Sequence, residues 1–244
     1  MFDHVTIRAS DRERSEAFYN TVLEALGIDE SYQTRRFSEW RDFSVAQADE
    51  HNPKSQRLHV GFVSPSREQV DGFWRAGTEA GYRDDGPPGP RPQYRPEYYG
   101  AFLLDPDGNS AEAVHHDMLR HDGVIDHLWI RVADLAAARD FYDTIAPYAG
   151  LRRRHDSPER VQYATQATRG SFSLVAGPAT EHLHMAFPSS DDEAIRRFHD
   201  AATAAGYRSN GEPGERPRYH AGYYAAYVLD PDGNNVELVN HHRH

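Results

Sequence analysis

Two hydrophobic rhythms alternate along the chain. "HVTIRA" (His4 to Ala9) has the two-residue period of a strand. The stretch after it shifts to a helical spacing, with Phe18, Val22 and Leu26 on one face. Ser10 with Glu13 predicts a capping box at the start of that helix, and Gly27 predicts its stop. A second strand is predicted at "RLHVGFV" (Arg57 to Val63), then a helix capped by Ser66 with Gln69 and closed by Gly81. "GPPGPRPQYRPEYYG" (Gly86 to Gly100) predicts long coil of the kind that borders ligands. "AFLLDPDGNSAEAV" (Ala101 to Val114) predicts a hairpin turned on Asp-Pro-Asp-Gly-Asn, whose turn chemistry accounts for each of those five residues.

The whole pattern then repeats. "DHVTIRASDRERSEAFYNTVLEALG" (Asp3 to Gly27) aligns without gaps on "DHLWIRVADLAAARDFYDTIAPYAG" (Asp126 to Gly150), and His59 to Glu112 aligns without gaps on His184 to Glu237. About half of the latter pairs are identical. Ser190 with Glu193 repeats the second cap, Gly206 the stop, and "GEPGERPRYHAGYY" (Gly211 to Tyr224) the predicted coil. Residues 1–118 and 123–244 are therefore predicted as two homologous halves of two strand-helix-strands modules each, joined near "DMLRHDG" (Asp117 to Gly123).

Polar residues on predicted strands carry the candidate chemistry. Glu112 shares a strand face with Val114, and Glu237 with Val239, so each carboxylate points where a side chain would be buried. Burying a carboxylate is costly without a cation, a base or a proton. His4 shares its face with Thr6 and Arg8, and His127 with Trp129 and Arg131, while His59 and His184 sit in the second strand of each half. Each half thus offers two histidines and one carboxylate. The chain has no cysteine, so a metal would rest on nitrogen and oxygen ligands, and this set suits Fe(II), Mn, Zn or Ni better than calcium. His182, two residues before His184, is a further candidate ligand or a support for one. Arg8 and Arg131 are candidates to pair an anionic substrate or a second carboxylate of the site.

Composition narrows the partners. At 244 residues, with 38% hydrophobic composition, the chain is long enough to bury a core in each half. A net charge of -11 without a basic stripe argues against nucleic acid and anionic membranes, and Arg152, Arg153 and Arg154 form only a short run expected in a solvated loop. The first residues lack the features of a signal peptide, and no segment reaches membrane-spanning length. A cytoplasmic protein with a small-molecule substrate is expected, as a monomer or homodimer, with "NHHRH" at the end as a frayed tail.

A histidine on the first strand, a second histidine in mid-domain and a glutamate after "DPDGN" form a combination that resembles the vicinal oxygen chelate superfamily. That superfamily holds glyoxalase I, bleomycin resistance proteins, fosfomycin resistance enzymes and extradiol ring-cleaving dioxygenases, and the resemblance spans essentially the whole chain. It implies an α+β fold, a tandem duplication of four βαβββ modules in two curled mixed sheets around cavities. There a divalent metal would chelate a substrate through two adjacent oxygens. It implies His4, His59, Glu112, His127, His184 and Glu237 as ligands of two sites. They are grouped either within each half or across the halves, the latter joining His4 to His184 and Glu237, and His127 to His59 and Glu112.

Departures from the pattern select among relatives. "DFSVAQAD" and "SFSLVAG" offer no acid on the strands where the four-ligand arrangement of glyoxalase I has one, and the histidines depart from bleomycin-binding relatives, which lack a metal triad. "HAGYYAAYVLDPDGNNVE" resembles extradiol dioxygenases in placing His220 and Tyr227 ahead of Glu237. This implies His220 as acid and base and Tyr227 as hydrogen-bond donor to a substrate oxygen. Arg218 and Ala226 depart from that pattern, and the first half has Arg95 and Phe102 at the corresponding places. The resemblance thus implies a metal-dependent enzyme leaning towards ring cleavage. The alternatives are a glyoxalase-type lyase or isomerase, or a protein that binds a drug or metabolite without turnover.

Overall fold

The computed structural model describes residues 1–165 and 169–242. Its first half runs β1 (His4–Ala9), α1 (Arg12–Glu24), β2 (Tyr32–Gln33), β3 (Phe37–Trp40), β4 (Phe43–Gln47), β5 (Leu58–Val63), α2 (Arg67–Glu79), β6 (Arg83–Pro90), β7 (Tyr99–Leu104) and β8 (Ser110–His115). The second half repeats it as β9 (Ile125–Val132), α3 (Leu135–Ile145), β10 (Leu151–Asp156), β11 (Arg160–Thr165), β12 (Ser171–Ala176), β13 (His184–Pro188), α4 (Asp192–Ala204), β14 (Ser209–Glu215), β15 (Tyr224–Leu229) and β16 (Asn235–Asn240). This is the predicted α+β duplication of four βαβββ modules. No helix among the described residues is long and apolar enough to cross a membrane.

The two sheets cut across the sequence repeat. One has the order β14-β15-β16-β13-β1-β4-β3-β2, the other β10-β11-β12-β9-β5-β8-β7-β6, so the first module shares a sheet with the fourth and the second with the third. The seams are antiparallel: β1 meets β13 with Thr6 opposite His184, and β5 meets β9 with Gly61 opposite His127. Within each half the helices pack together, α1 on α2 and α3 on α4. Aromatic rings tie the two modules of a half below the sheets, with Phe43 edge-on to Phe62 at 5.0 Å and Phe172 against Phe187 at 6.0 Å. Each sheet therefore brings the opening strand of one half beside the closing hairpin of the other.

Local chemistry explains most boundaries and corrects some predicted ones. Ser66 caps α2 as predicted, accepting from the Gln69 amide at 3.3 Å. In α1 and α4 the cap falls one residue later, on Asp11 and Asp191, because Asp is as good an acceptor as Ser. Ser10 is drawn instead to the Asp107 carboxylate. Gly27, Gly81 and Gly206 end their helices with φ of 72°, 87° and 91°. The Pro/Gly-rich stretches are not all coil, since their first parts form β6 and β14. Both are outermost strands with bulged pairing, where proline's missing N–H faces no neighbour.

The repeated turn does more than reverse the chain. Asp105 accepts from the amides of Asp107 and Asn109, and Asn109 in turn accepts from the Leu58 amide at 3.1 Å, fixing the start of β5. Asn234 does the same for Leu183 and β13 at 3.0 Å. Since His59 and His184 follow directly, the turn sets them opposite Ser110 and Asn235, two residues before Glu112 and Glu237 on the neighbouring strand.

Candidate functional site

The six predicted ligands converge in two clusters, and they converge across the halves. His4, His184 and Glu237 form one, and His59, Glu112 and His127 the other. Of the two groupings that the resemblance implies, the seams β1–β13 and β5–β9 select this one, because each first-strand histidine is delivered to the hairpin of the opposite half.

In the first cluster His4 Nε2 lies 2.9 Å from His184 Nε2, and Glu237 Oε2 lies 3.0 Å from His184 Nε2 and 3.6 Å from His4 Nε2. In the second, His59 Nε2, Glu112 Oε2 and His127 Nε2 are 3.0, 3.2 and 3.3 Å apart. Donors about 2.0–2.2 Å from one ion, at angles between square and tetrahedral, stand about 2.8–3.6 Å from each other. Both donor sets therefore fit a divalent transition metal. The opposite ring nitrogens are already engaged: His4 Nδ1 by Asp3 at 2.8 Å, His127 Nδ1 by Asp126 at 2.9 Å, His59 Nδ1 by Ser110 at 3.1 Å and His184 Nδ1 by Asn235 at 2.6 Å. Such outer partners orient a ring so that Nε2 is presented to the ion. The second oxygen of each carboxylate accepts from a tyrosine, Glu112 from Tyr98 and Glu237 from Tyr223, both at 2.7 Å.

The electrostatics of the second cluster follow from burial opposed by hydrogen bonds. Burial pushes the Glu112 carboxyl up, yet hydrogen bonds from His127 and His59 outweigh it and hold the group at about 2. Burial pushes His127 down, while Asp126 and Glu112 outweigh it and raise the imidazole to about 10. In the first cluster burial likewise opposes Asp3 and Glu237 at His4, which ends raised, whereas at His184 burial wins and the ring is lowered. In the metal-free protein the depressed Glu112 contributes stability that is full above about pH 4.5 and lost as pH falls towards 2. The raised His127 contributes stability that is full below about pH 6.5 and lost as pH rises through 10. Thermal melts of metal-free protein are expected to peak between these limits, and Glu112→Gln to flatten both limbs. A Glu112→Gln profile as steep as the wild type would show that other groups set the pH dependence.

The other predicted residues separate. Arg131 lines a cavity of about 490 Å³ whose floor is His59, Glu112 and His127. Arg8 lies near His184, on which its charge acts. Tyr227 is buried near the first cluster, its ring centroid 6.4 Å from that of His184, and its hydroxyl feels the Glu237 carboxylate. His220 is not aimed at the cluster. Its Nε2 faces His241 Nδ1 at 2.8 Å, and His241 Nε2 bonds Asp3 at 3.0 Å. His182 is no alternative ligand: it is exposed, precedes β13 and has a φ of 58°. The predicted frayed tail is likewise corrected at His241, which Asp3 holds; Arg243 and His244 lie outside the described residues.

Sequence reasoning missed the supporting groups. Asp3 and Asp126, Tyr98 and Tyr223, and His116 and His241 are identical pairs in the repeat, and that identity was the available signal. His116 reaches Asp126 at 3.3 Å, as His241 reaches Asp3. Glu39 was missed for another reason. It lies on β3 opposite Ser44 of β4, and its charge is felt at His4, although the strand searched for an acid was β4 itself.

A family model described as the Glyoxalase/Bleomycin resistance protein/Dioxygenase superfamily matches residues 1–113 and 124–238. The chain belongs to this superfamily. Among solved structures of similar fold, glyoxalase I from Zea mays is 17% identical with a TM-score of 0.69, over 98% of this chain and 92% of that one. A candidate dioxygenase from Bacillus subtilis subsp. subtilis str. 168 is 15% identical with a TM-score of 0.67, over 99% and 85%. At these identities the likeness is one of fold. No curated protein matches the chain. The superfamily includes enzymes of more than one reaction, so what this member does has to be argued from its own site.

Proposed function

We propose that the chain is a divalent-metal-dependent enzyme acting on a small molecule with two adjacent oxygens, at the cavity over His59, Glu112 and His127. The observation that carries this reading is the convergence of two imidazole nitrogens and one carboxylate oxygen within 3.0–3.3 Å of each other on the cavity floor. A metal held there would act as a Lewis acid on the chelated oxygens. The chain's own residues do the rest. Asp126 and Ser110 fix the two rings, and Tyr98 fixes the carboxylate, so that all three donors are set before substrate arrives. Tyr94 and Trp129, 5.9 Å apart and edge-on, wall the cavity.

A second reading assigns ring cleavage to the cluster of His4, His184 and Glu237. It is favoured by Tyr227, whose buried ring lies 6.4 Å from that of His184 and whose hydroxyl is close enough to Glu237 to feel its charge. His220 does not support it, because it is turned to His241. Protein reconstituted with Fe(II), Mn, Zn or Ni would be assayed for oxygen uptake with catechols and for isomerisation of 2-oxoaldehyde adducts. Turnover abolished by Glu112→Ala supports the cavity site. Oxygen uptake that survives Glu112→Ala and is lost in Tyr227→Phe would transfer the activity to the other cluster. Tight binding of these compounds without turnover under any metal would make the chain a sequestering protein instead.

A further inference from the structure

Resting on the metal-site reading, we infer that the cavity accepts a planar aromatic anion, with its acidic group held by Arg131 and Arg160 on the side away from His59, Glu112 and His127. The argument starts from register. On three adjacent strands, His127 of β9 is level with Ser171 of β12, and Trp129 with Ser173 and, on β11, Gln162. Arg131 is in turn level with Val175 and, on β11, Arg160. Residues two apart on a strand share a face and lie about 6.6 Å apart, and strands are about 4.8 Å apart. The sheet face therefore reads outward from the metal as histidine, then indole, then a pair of arginines about 10 Å apart at the backbone. Two long guanidinium chains at that spacing can close on one anion.

The cavity contents agree. Both arginines line it, and neither guanidinium has an ion-pair partner among the described residues. Arg160 lies over the Trp129 ring at 5.9 Å, which directs its charge to the rim. Nearer the floor the walls are aromatic: Trp129 stands edge-on to His59 at 6.2 Å, and Phe102 lies 5.9 Å from His59. A flat conjugated ring suits such a slot. Asp85 also lines the cavity, but it is engaged by the Ser110 hydroxyl at 2.8 Å, beside His59 and away from the arginines.

The repeat supplies an internal control. On the corresponding rows of the other sheet stand Thr6, Ser44 and Glu39, then Arg8, Ala46 and Phe37. The indole has become threonine, the glutamine a carboxylate and the second arginine a phenylalanine, while the ligands have stayed. The aromatic and cationic rows are thus a property of one site, not of the shared scaffold. In a chain of net charge -11, a cationic rim would also gather anions against the overall field.

Calorimetric titration of zinc-loaded protein with 3,4-dihydroxybenzoate and with catechol tests this, since zinc performs no redox chemistry and the two differ by the acid alone. The acid is expected to bind about tenfold or more tightly than catechol, the scale of one charge-assisted hydrogen-bonded pair. Arg131→Gln and Arg160→Gln should each remove most of that advantage and leave catechol unchanged. Equal affinity for both compounds, no binding of the acid, or arginine variants that weaken both alike would overturn the inference and leave the metal reading standing. Failure of the cavity cluster to take up zinc would instead overturn the metal reading. Benzoate binding to metal-free protein, lost in Arg131→Gln, would then still support the anion site.

Discussion

Metal content measured by elemental mass spectrometry should give about two equivalents per chain after reconstitution, with Glu112→Ala and Glu237→Ala each removing one. The reasoning is geometric. Each carboxylate is almost wholly buried and faces two imidazoles, so it is the one anionic donor of its set. Its loss leaves two neutral nitrogens, too few to hold an ion against solvent. With the ion gone from the cavity, Lewis-acid stabilisation worth several kcal/mol goes too, and each ~1.4 kcal/mol is tenfold in rate. Glu112→Ala is thus expected to lower turnover by about two to three orders of magnitude or more, and Glu237→Ala to leave it largely intact. Both ions retained in Glu112→Ala would refute the ligand assignment. Equal loss of activity in the two variants would refute the division of labour between the sites.

The modules and the six convergent residues were legible in the sequence because both rest on short-range patterns. Period-two alternation placed His4, His59, Glu112 and their counterparts on strands, and the internal repeat separated them from the other histidines of the chain. What pattern could not supply was which strands become neighbours. The seams pair β1 with β13 and β5 with β9, a long-range property that no local period encodes. Hence the sequence alone allows both groupings of the ligands, and the pairing of β1 with β13 decides between them.

Close approach was invisible for the same reason. Gly61 sits opposite His127, where an added Cβ would run into the imidazole, and Gly100 leaves room for the Glu112 carboxylate; the matching residues around the other cluster are Ala186 and Ala225. These glycines read in the sequence as ordinary strand residues. The spacing of His220 to Tyr227 and Glu237 fixes sequence distance only, not the direction of the ring. The ring turns to His241, near the end of the chain.

Arg120→Ala is expected to cost about 3–5 kcal/mol of folding stability, the largest effect anticipated away from the candidate metal centres. The segment "DMLRHDG" joins the halves, and its arginine is no solvated linker residue but is 3% exposed. Its guanidinium pairs with Asp42, which precedes β4, and donates to the Phe2 carbonyl at 3.2 Å and the Ile125 carbonyl at 3.0 Å. Asp42 in turn accepts from the Val124 amide at 2.7 Å. One buried ion pair therefore ties the start of β1 and β4 in one sheet to the start of β9 in the other, next to both first-strand histidines. Removing the arginine leaves Asp42 buried without its cation, which is costlier than losing an exposed pair. Urea unfolding monitored by circular dichroism would read the loss as a lowered midpoint at unchanged slope. If Arg120→Ala unfolds outright, Arg120→Met with Asp42→Asn, which removes both charges together, is expected to recover a large part of the stability. A single variant within about 1 kcal/mol of wild type would show that the two sheets are held in place by their apolar contacts alone.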